Sequence, residues 1–377
     1  MKLFKSQYNI LDLNIFVESD TIDFIEMIDL DYSWFKQTQL NNFHLHFRVM
    51  LQNSENSLVI FPENDQYDLS GYIDKKHLAY QIILKTIFSK IDNYLVIHAG
   101  VVIFKNKALV LAGPPGIGKS TLVFELIKNN FIFYSDDFCP INRKNNLVYP
   151  FPRSLWLDLK NNSYEKNTLR NKHPIDINMY KNCMPNKYNY KPSEINWIVY
   201  LDHCGQKNNN CEIFLYLKNS NTNIFKDFDK IDQLQVIKDD KNIRLKFQKG
   251  IGISKHISLI LEKYKNNVIN VFRKEEIFPD FSKQSQFQKI KSSKSAFLLI
   301  HDLKNFFSIN NYIQSKAQLL MELSFLLKNT KAYKMTTGNL DSMQKNIYKI
   351  INSDFCPSSL DIPLNSKYNL LTDNQIL

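Results

Sequence analysis

The chain has 377 residues, 44% of them hydrophobic and 13% aromatic, with a formal net charge of +11. That composition can bury a substantial core and excludes global disorder. The lysines are spread through Asn- and Lys-rich loops rather than gathered in one arm, which argues against nucleic acid as the principal substrate; a small anionic substrate such as a nucleotide suits the charge equally well.

Residues 1–78 read as a small α+β unit. Residues 8–10 and 13–17 alternate like strands, 21–27 reads as a short helix, 43–50 alternates again and 57–61 is a further strand. His44 and His46 share one strand face without a third ligand nearby, so they read as an ordinary polar face. A nucleotide-binding domain is expected over 79–351. Its lead-in helix, 76–91, carries Leu78, Ile82, Ile83, Ile87 and Phe88 at helical spacing. Residues 95–104 read as a strand pair or one long strand. A tight turn at 105–107 then makes the strand 108–112 pair antiparallel with what precedes it.

The next stretch organises the chain. Gly113-Pro114-Pro115-Gly116-Ile117-Gly118-Lys119-Ser120 fits the pattern G-x-x-x-x-G-K-[ST] without a mismatch. The whole chain has only nine glycines, so three within this loop are not a by-product of glycine abundance. A buried strand enters the loop and an amphipathic helix, opened by Thr121, leaves it. In such a loop backbone N–H groups converge on phosphate oxygens at a helix N-terminus. Lys119 is expected to reach the β- and γ-phosphates of ATP, and the Ser120 hydroxyl to hold Mg²⁺.

After that helix, the apolar run 131–134 ends in Ser135, Asp136 and Asp137. Strand C-termini border the ligand crevice of open α/β sheets. Two acids there can divide the labour, one binding Mg²⁺ and the other accepting a proton from an attacking hydroxyl. Residues 138–141 and 147–149 flank a hairpin turn at 143–146. The proline-framed Arg153 could lie over the phosphates, with a plain surface arginine as the alternative.

Residues 163–192 read as a short helix and an irregular stretch. Residues 195–201 read as a central strand, with 211–217 as its hairpin partner. Residues 219–290, rich in lysine and asparagine, read as an accessory insertion in which 258–264 is helical. Gly250-Ile251-Gly252 follows no strand of a βαβ unit and is no dinucleotide fingerprint. Residues 296–328 read as helices, 332–335 as a last strand, 340–351 as a closing helix and 352–377 as a loose tail.

Cys139, Cys183, Cys204, Cys211 and Cys356 form no C-x-x-C pair and no defensible zinc spacing, so they read as free thiols of a reducing compartment. Residues 1–7 lack the apolar core of a signal peptide, and the run 296–300 is far too short to span a bilayer. A cytoplasmic protein without membrane contact is the expectation; a homo-oligomer stays open.

The run from His98 to Asp137 resembles the kinase domain of HPr kinase/phosphorylase. It resembles more closely the HPr kinase-related proteins found beside peptide and polysaccharide biosynthesis genes. The shared features are His98-Ala99 on a strand, a hairpin, the loop 113–120, and Ser135-Asp136-Asp137 ending the next strand. Pro152-Arg153 before a strand, the Trp197 strand and the late Tyr333 strand are similar too, as is Tyr32 ahead of an alternating strand. The resemblance implies an α/β, phosphoenolpyruvate carboxykinase-like P-loop domain with a mixed sheet, behind a small N-terminal α+β unit. It implies that Gly113, Pro114, Pro115, Gly116, Ile117, Gly118, Lys119 and Ser120 bind nucleotide phosphate. It further implies that Ser120 and Asp137 serve Mg²⁺ and that Asp136 is the base, steadied by His98. The family's downstream glycine-rich signature is not found, and Asp158 is the stand-in for the carboxylate after it, so phosphorylase activity and HPr itself as substrate do not carry over. What remains implied is a kinase that moves the γ-phosphoryl group of ATP to a hydroxyl of a Ser/Thr peptide or protein, or of a small molecule such as serine. The alternative is an ATP-binding accessory or regulatory protein of a biosynthetic cluster, without transfer.

Overall fold

The computed structural model describes residues 2–52, 56–72, 74–158, 172–175, 191–203, 210–219, 222–239, 241–248, 251–275, 281–307 and 316–353. The protein is mixed α/β, with two six-stranded sheets, one four-stranded sheet and two two-stranded ones among the described residues.

The first sheet is N-terminal. Its strands Phe4–Ile10, Leu13–Ser19, Leu45–Met50, Ser57–Phe61 and Asp65–Asp68 lie in chain order, with the short Lys36–Gln37 outside Phe4–Ile10. Helices Ile22–Tyr32 and Lys75–Ser89 contribute to the same core: Phe24, Ile28, Leu78, Ile82, Ile83 and Ile87 are buried with Tyr8, Ile15 and Phe47. The second helix starts cleanly because the Asp74 side chain accepts from the His77 N–H at 2.9 Å. The histidine pair is the polar face expected. His44 Nδ1 accepts from the Asn14 N–H, and His46 Nε2 lies 2.9 Å from Glu18, which Arg48 also pairs at 2.6 Å.

The second sheet runs in the order Ile132–Ser135, Ala99–Phe104, Lys107–Ala112, Ile195–Asp202, Lys331–Thr336 and Phe287–Ile290. Ala99–Phe104 and Lys107–Ala112 form the expected antiparallel hairpin. Lys105 and Asn106 both take left-handed φ, +47° and +64°, the geometry that matches the twist of the flanking strands. The run 94–104 is two strands, broken at His98. Tyr94–Ile97 leaves to pair with Cys139–Asn142 in a separate two-stranded sheet. Lys107–Ala112, Ile195–Asp202 and Lys331–Thr336 are mutually parallel at the centre. Their central residues, Leu109, Val110 and Leu111, Trp197, Ile198 and Val199, and Ala332 and Tyr333, are buried because both faces are covered. Helices Lys119–Lys128 and Leu340–Asn352 bury Leu122, Leu126, Ile347 and Ile351 against Leu109, Leu111 and Trp197. Helices Ser292–Phe307 and Lys316–Leu326 bury Ala296, Leu299 and Leu323 against Ala108, Val110 and Ile198.

One strand-pairing expectation fails. Strand Asn210–Leu217 does not form a hairpin with Ile195–Asp202. Both sides of Ile195–Asp202 are already occupied, by Lys107–Ala112 and Lys331–Thr336, so it has no edge to offer. Asn210–Leu217 instead lies between Asn242–Gln248 and Val268–Glu275, antiparallel to each. With Gln235–Asp239 and helices Thr222–Asp229 and Ile251–Lys263 they enclose a separate core of Cys211, Ile213, Leu215, Phe228, Leu245 and Phe247. Phe287–Ile290, by contrast, is an edge strand of the central sheet.

Residues 159–171 and 176–190 lie outside the described residues, and with them most of the 163–192 stretch; Lys172–Ile175 pairs antiparallel with Leu155–Asp158. Cys183, Cys204, Cys356 and the tail from 354 also lie outside, while Cys139 and Cys211 are buried free thiols. Among the described residues no helix is long and apolar enough to cross a membrane.

Candidate nucleotide-binding edge

The loop begins where Lys107–Ala112 leaves the core. Gly113 takes φ +142°, and a Cβ there would stand 2.6 Å from the Leu201 carbonyl oxygen of the neighbouring strand. Gly116 and Gly118 take φ of +79° and +100°. All three glycines therefore sit in backbone conformations that side chains rarely adopt. Gly118 is the N-cap of helix Lys119–Lys128, and its carbonyl accepts from the Leu122 N–H at 3.0 Å. The first-turn N–H groups of such a helix lack intrahelical partners and carry the positive end of its dipole. Lys119 is buried and folds back across the loop, with Nζ donating to the Gly113 carbonyl at 2.7 Å and to the Pro114 carbonyl at 3.1 Å. Ser120 is half-buried and Thr121 exposed on that first turn. A tight glycine turn, a lysine and a helix N-terminus thus converge, and this residue set fits a phosphate-bearing ligand.

The acid pair reaches the same edge. Ile132–Ser135 is antiparallel to Ala99–Phe104, which is antiparallel to Lys107–Ala112, so the first and third strands end on the same edge of the sheet with one strand between them. Ala99 pairs with Ala112 and donates its N–H to the Asp137 carbonyl at 3.2 Å. Two strand spacings, about 10 Å, separate Asp137 from the start of the loop. Gly100 permits this closeness: a Cβ there would meet Val123 Cγ2 at 2.6 Å and the Asp136 carbonyl oxygen at 3.4 Å. His98, in the break between two sheets, places Nδ1 3.0 Å from the Asp137 carbonyl oxygen. Ser135 Oγ accepts from the Phe138 N–H at 3.1 Å and closes the turn that carries both acids. The acids differ in access. Asp136 is buried, whereas the Asp137 side chain is 35% exposed.

Arg153 stands elsewhere than the sequence suggested. It is neither a surface residue nor a partner of the loop; its guanidinium is 8% exposed in a cage made largely by the N-terminal unit. Nη2 donates to Asp31 Oδ2 at 2.7 Å and to the Tyr80 hydroxyl, and Nη1 lies 3.5 Å from Asp137 Oδ2. Burial disfavours its charge, but Tyr80, Tyr32, Asp31 and Asp137 raise its proton affinity well above the ordinary value.

Two further features were missed from sequence. Asp202 ends the strand beside the loop strand; Tyr200 pairs with Ala112, so Asp202 lies on the same edge. Its carboxylate accepts from Lys334 Nζ at 2.7 Å and lies 3.1 Å from His203 Nδ1. Burial opposes its charge, yet Lys334 and His203 outweigh this and hold the carboxyl below the usual range. The signal was available: an apolar run, 195–201, ending in an acid. The other is Phe281, 50% exposed, whose ring would lie 3.5 Å from a Cβ placed on Gly118. Its segment is tied down by the Asn339 N–H donating to the Lys283 carbonyl at 2.7 Å. Gly338 makes that approach possible, since a Cβ there would stand 2.5 Å from the same carbonyl oxygen. No local pattern marks Phe281, because only the tertiary fold brings it to the loop.

No protein-family model matches the chain, and no curated protein matches it significantly. Among solved structures it is similar to the Hpr(Ser) kinase/phosphatase from Coxiella burnetii, at 13% identity over 46% of this chain and 97% of that one, with a TM-score of 0.22. A likeness of that size fixes neither fold nor activity.

Proposed function

We propose that the chain is an ATP-dependent kinase that transfers a phosphoryl group to a hydroxyl acceptor. The observation that carries this reading is the loop 113–120, set between a buried strand and a helix, with the Asp136–Asp137 turn on the same sheet edge. The loop amides and Lys119 hold the phosphates of ATP, and Lys119 exchanges its two loop carbonyls for phosphate oxygens. Mg²⁺, when bound, neutralises charge on the phosphates, and Ser120 with Asp137 or Asp202 would hold it. The acceptor oxygen attacks the γ-phosphorus, the bond from that phosphorus to the bridging oxygen breaks, and ADP leaves. The acceptor's proton passes to a carboxylate of the pair. Asp137 is the more open of the two acids; Asp136 lies behind it. The half-exposed Phe281 ring offers a flat apolar face to the base or ribose.

The test is release of ADP from Mg·ATP against a panel of free serine, Ser/Thr peptides and sugars. The wild type should turn over with one acceptor, and Lys119→Ala and Asp137→Asn should not. Persistence in both variants refutes the reading. Tight ATP binding without transfer to any acceptor favours the accessory or regulatory alternative.

A further inference from the structure

We infer that the N-terminal unit positions the acid pair: Asp31 and Tyr80, acting through Arg153, set the place of the Asp137 carboxylate. The inference rests on the proposed role of that edge in phosphoryl transfer.

A guanidinium this deeply buried must have its charge matched; here Nη1 and Nη2 face acids while the buried Nε has no hydrogen-bond partner among the described residues. One arm is matched entirely by Asp31 and Tyr80, on the two helices packed into the core of the N-terminal sheet. Arg153 Nη2 donates to Asp31 at 2.7 Å and to Tyr80, while the Tyr80 hydroxyl donates to the same Asp31 oxygen at 2.7 Å. This closed triangle stands at the end of helix Ile22–Tyr32 and on helix Lys75–Ser89. The guanidinium is packed among aromatic rings, with its carbon 5.1 Å from the Phe138 centroid, 5.5 Å from Tyr32 and 5.9 Å from Tyr80. Phe138 directly follows Asp137, so the same packing braces the acid's backbone. Ser154 adds a second tie, its hydroxyl donating to the Leu30 carbonyl at 2.7 Å.

The other arm points at the edge. Nη1 lies 3.5 Å from Asp137 Oδ2, at the limit of a hydrogen bond, and the contact is an electrostatic tether rather than a full bond. Asp31 is 5% exposed and Asp137 35%, so Arg153 links a wholly internal acid to one that opens on the edge. A purely structural arginine would need only the first. With the Asp31–Tyr80 triangle intact, Arg153 is held back and Asp137 keeps its outward face. When the triangle is weakened, Arg153 is free to close on Asp137 and draw its carboxylate away from the ligand side. Asp31, Tyr80 and Arg153 are therefore positioning residues.

The experiment uses the full chain. Tyr80→Phe removes one hydroxyl and keeps the ring; Asp31→Asn removes the charge and keeps the shape. Each variant is checked for folding by its melting curve, assayed for ADP release from Mg·ATP, and crystallised. Tyr80→Phe should lower kcat on the order of tenfold, and Asp31→Asn more, with KM for ATP unchanged. In the crystals the Arg153–Asp137 distance should shorten below the 3.5 Å of the wild type. An Asp137 that keeps its place, or wild-type kcat in both folded variants, overturns the inference. Should Asp31→Asn fail to fold, Tyr80→Phe decides. A wild type with no turnover would sink the kinase reading alone, and the place of Asp137 in the Tyr80→Phe crystal would still decide this one.

Discussion

The loop edge and the four-stranded sheet of residues 210–275 are built by opposite means. At the edge, strand, turn, strand, loop, helix and strand follow one another between residues 99 and 137, and the strands pair in chain order or one step removed. In the four-stranded sheet the first strand, Asn210–Leu217, waits for partners at 242–248 and 268–275. Each region has its own buried cluster. The edge keeps polar groups, Lys119 and Asp136, inside; the other region fills its interior with Ile213, Phe228 and Leu245. The edge thus carries buried polar groups at the candidate site and the 210–275 region is given over to packing, and substitutions should separate the two.

The largest effect is expected from Lys119→Ala. ADP release should fall by about a hundredfold or more, because the positive charge nearest the phosphates is lost. The loss of activity should exceed any loss of melting temperature, since the lysine donates to the Gly113 and Pro114 carbonyls of the loop itself. Phe228→Ala should do the reverse. It empties a fully buried ring position and should cost about 3–5 kcal/mol in urea unfolding, with the dissociation constant for ATP unchanged. A large change in ATP affinity there would show that the two regions are not separable.

Gly113→Ala joins both effects at one residue. At φ +142° and with the Leu201 oxygen 2.6 Å from the new Cβ, it should destabilise by about 1–3 kcal/mol and weaken ATP binding together. Phe281→Ala should weaken ATP binding by about 1 kcal/mol, measured by calorimetry, and leave stability unchanged, since the ring is half exposed.

The smallest effect lies where residues 210–275 meet the N-terminal unit. Lys85 donates to the Ile269 carbonyl at 3.2 Å, and burial, with Lys218 nearby, lowers its pKa to about 8. The unfolded chain then binds more protons than the folded one above that value, so stability should rise as pH increases from about 8 towards the lysine's ordinary 10.5. The slope should be less than about 1 kcal/mol per pH unit, read from urea unfolding at each pH, and Lys85→Met should flatten it.

What could be read directly was contiguous. The glycine loop, its strand and helix, the 99–112 hairpin and the paired acids are each specified by residues next to one another, where turn geometry and hydrophobic period act. The helices at 75–89 and 340–352 were legible for the same reason. The partner of 210–217 was not, because a strand's alternation states which face is buried and not which neighbour it meets. The break at His98 was legible only as one of two alternatives, a strand pair or one long strand; two sheets claiming the two halves decided for the pair.

By itself, then, the sequence determined a glycine loop between a strand and a helix, a carboxylate pair near it in the chain and a set of apolar strands and helices able to bury one another. Only the tertiary structure placed Arg153 in the grip of Asp31 and Tyr80, lined Asp202 up beside the loop and laid Phe281 against Gly118. The physical reason is range. Backbone conformation and periodic burial act over a few residues, whereas a buried charge is satisfied by whichever opposite charge packing brings to it, here from more than a hundred residues away.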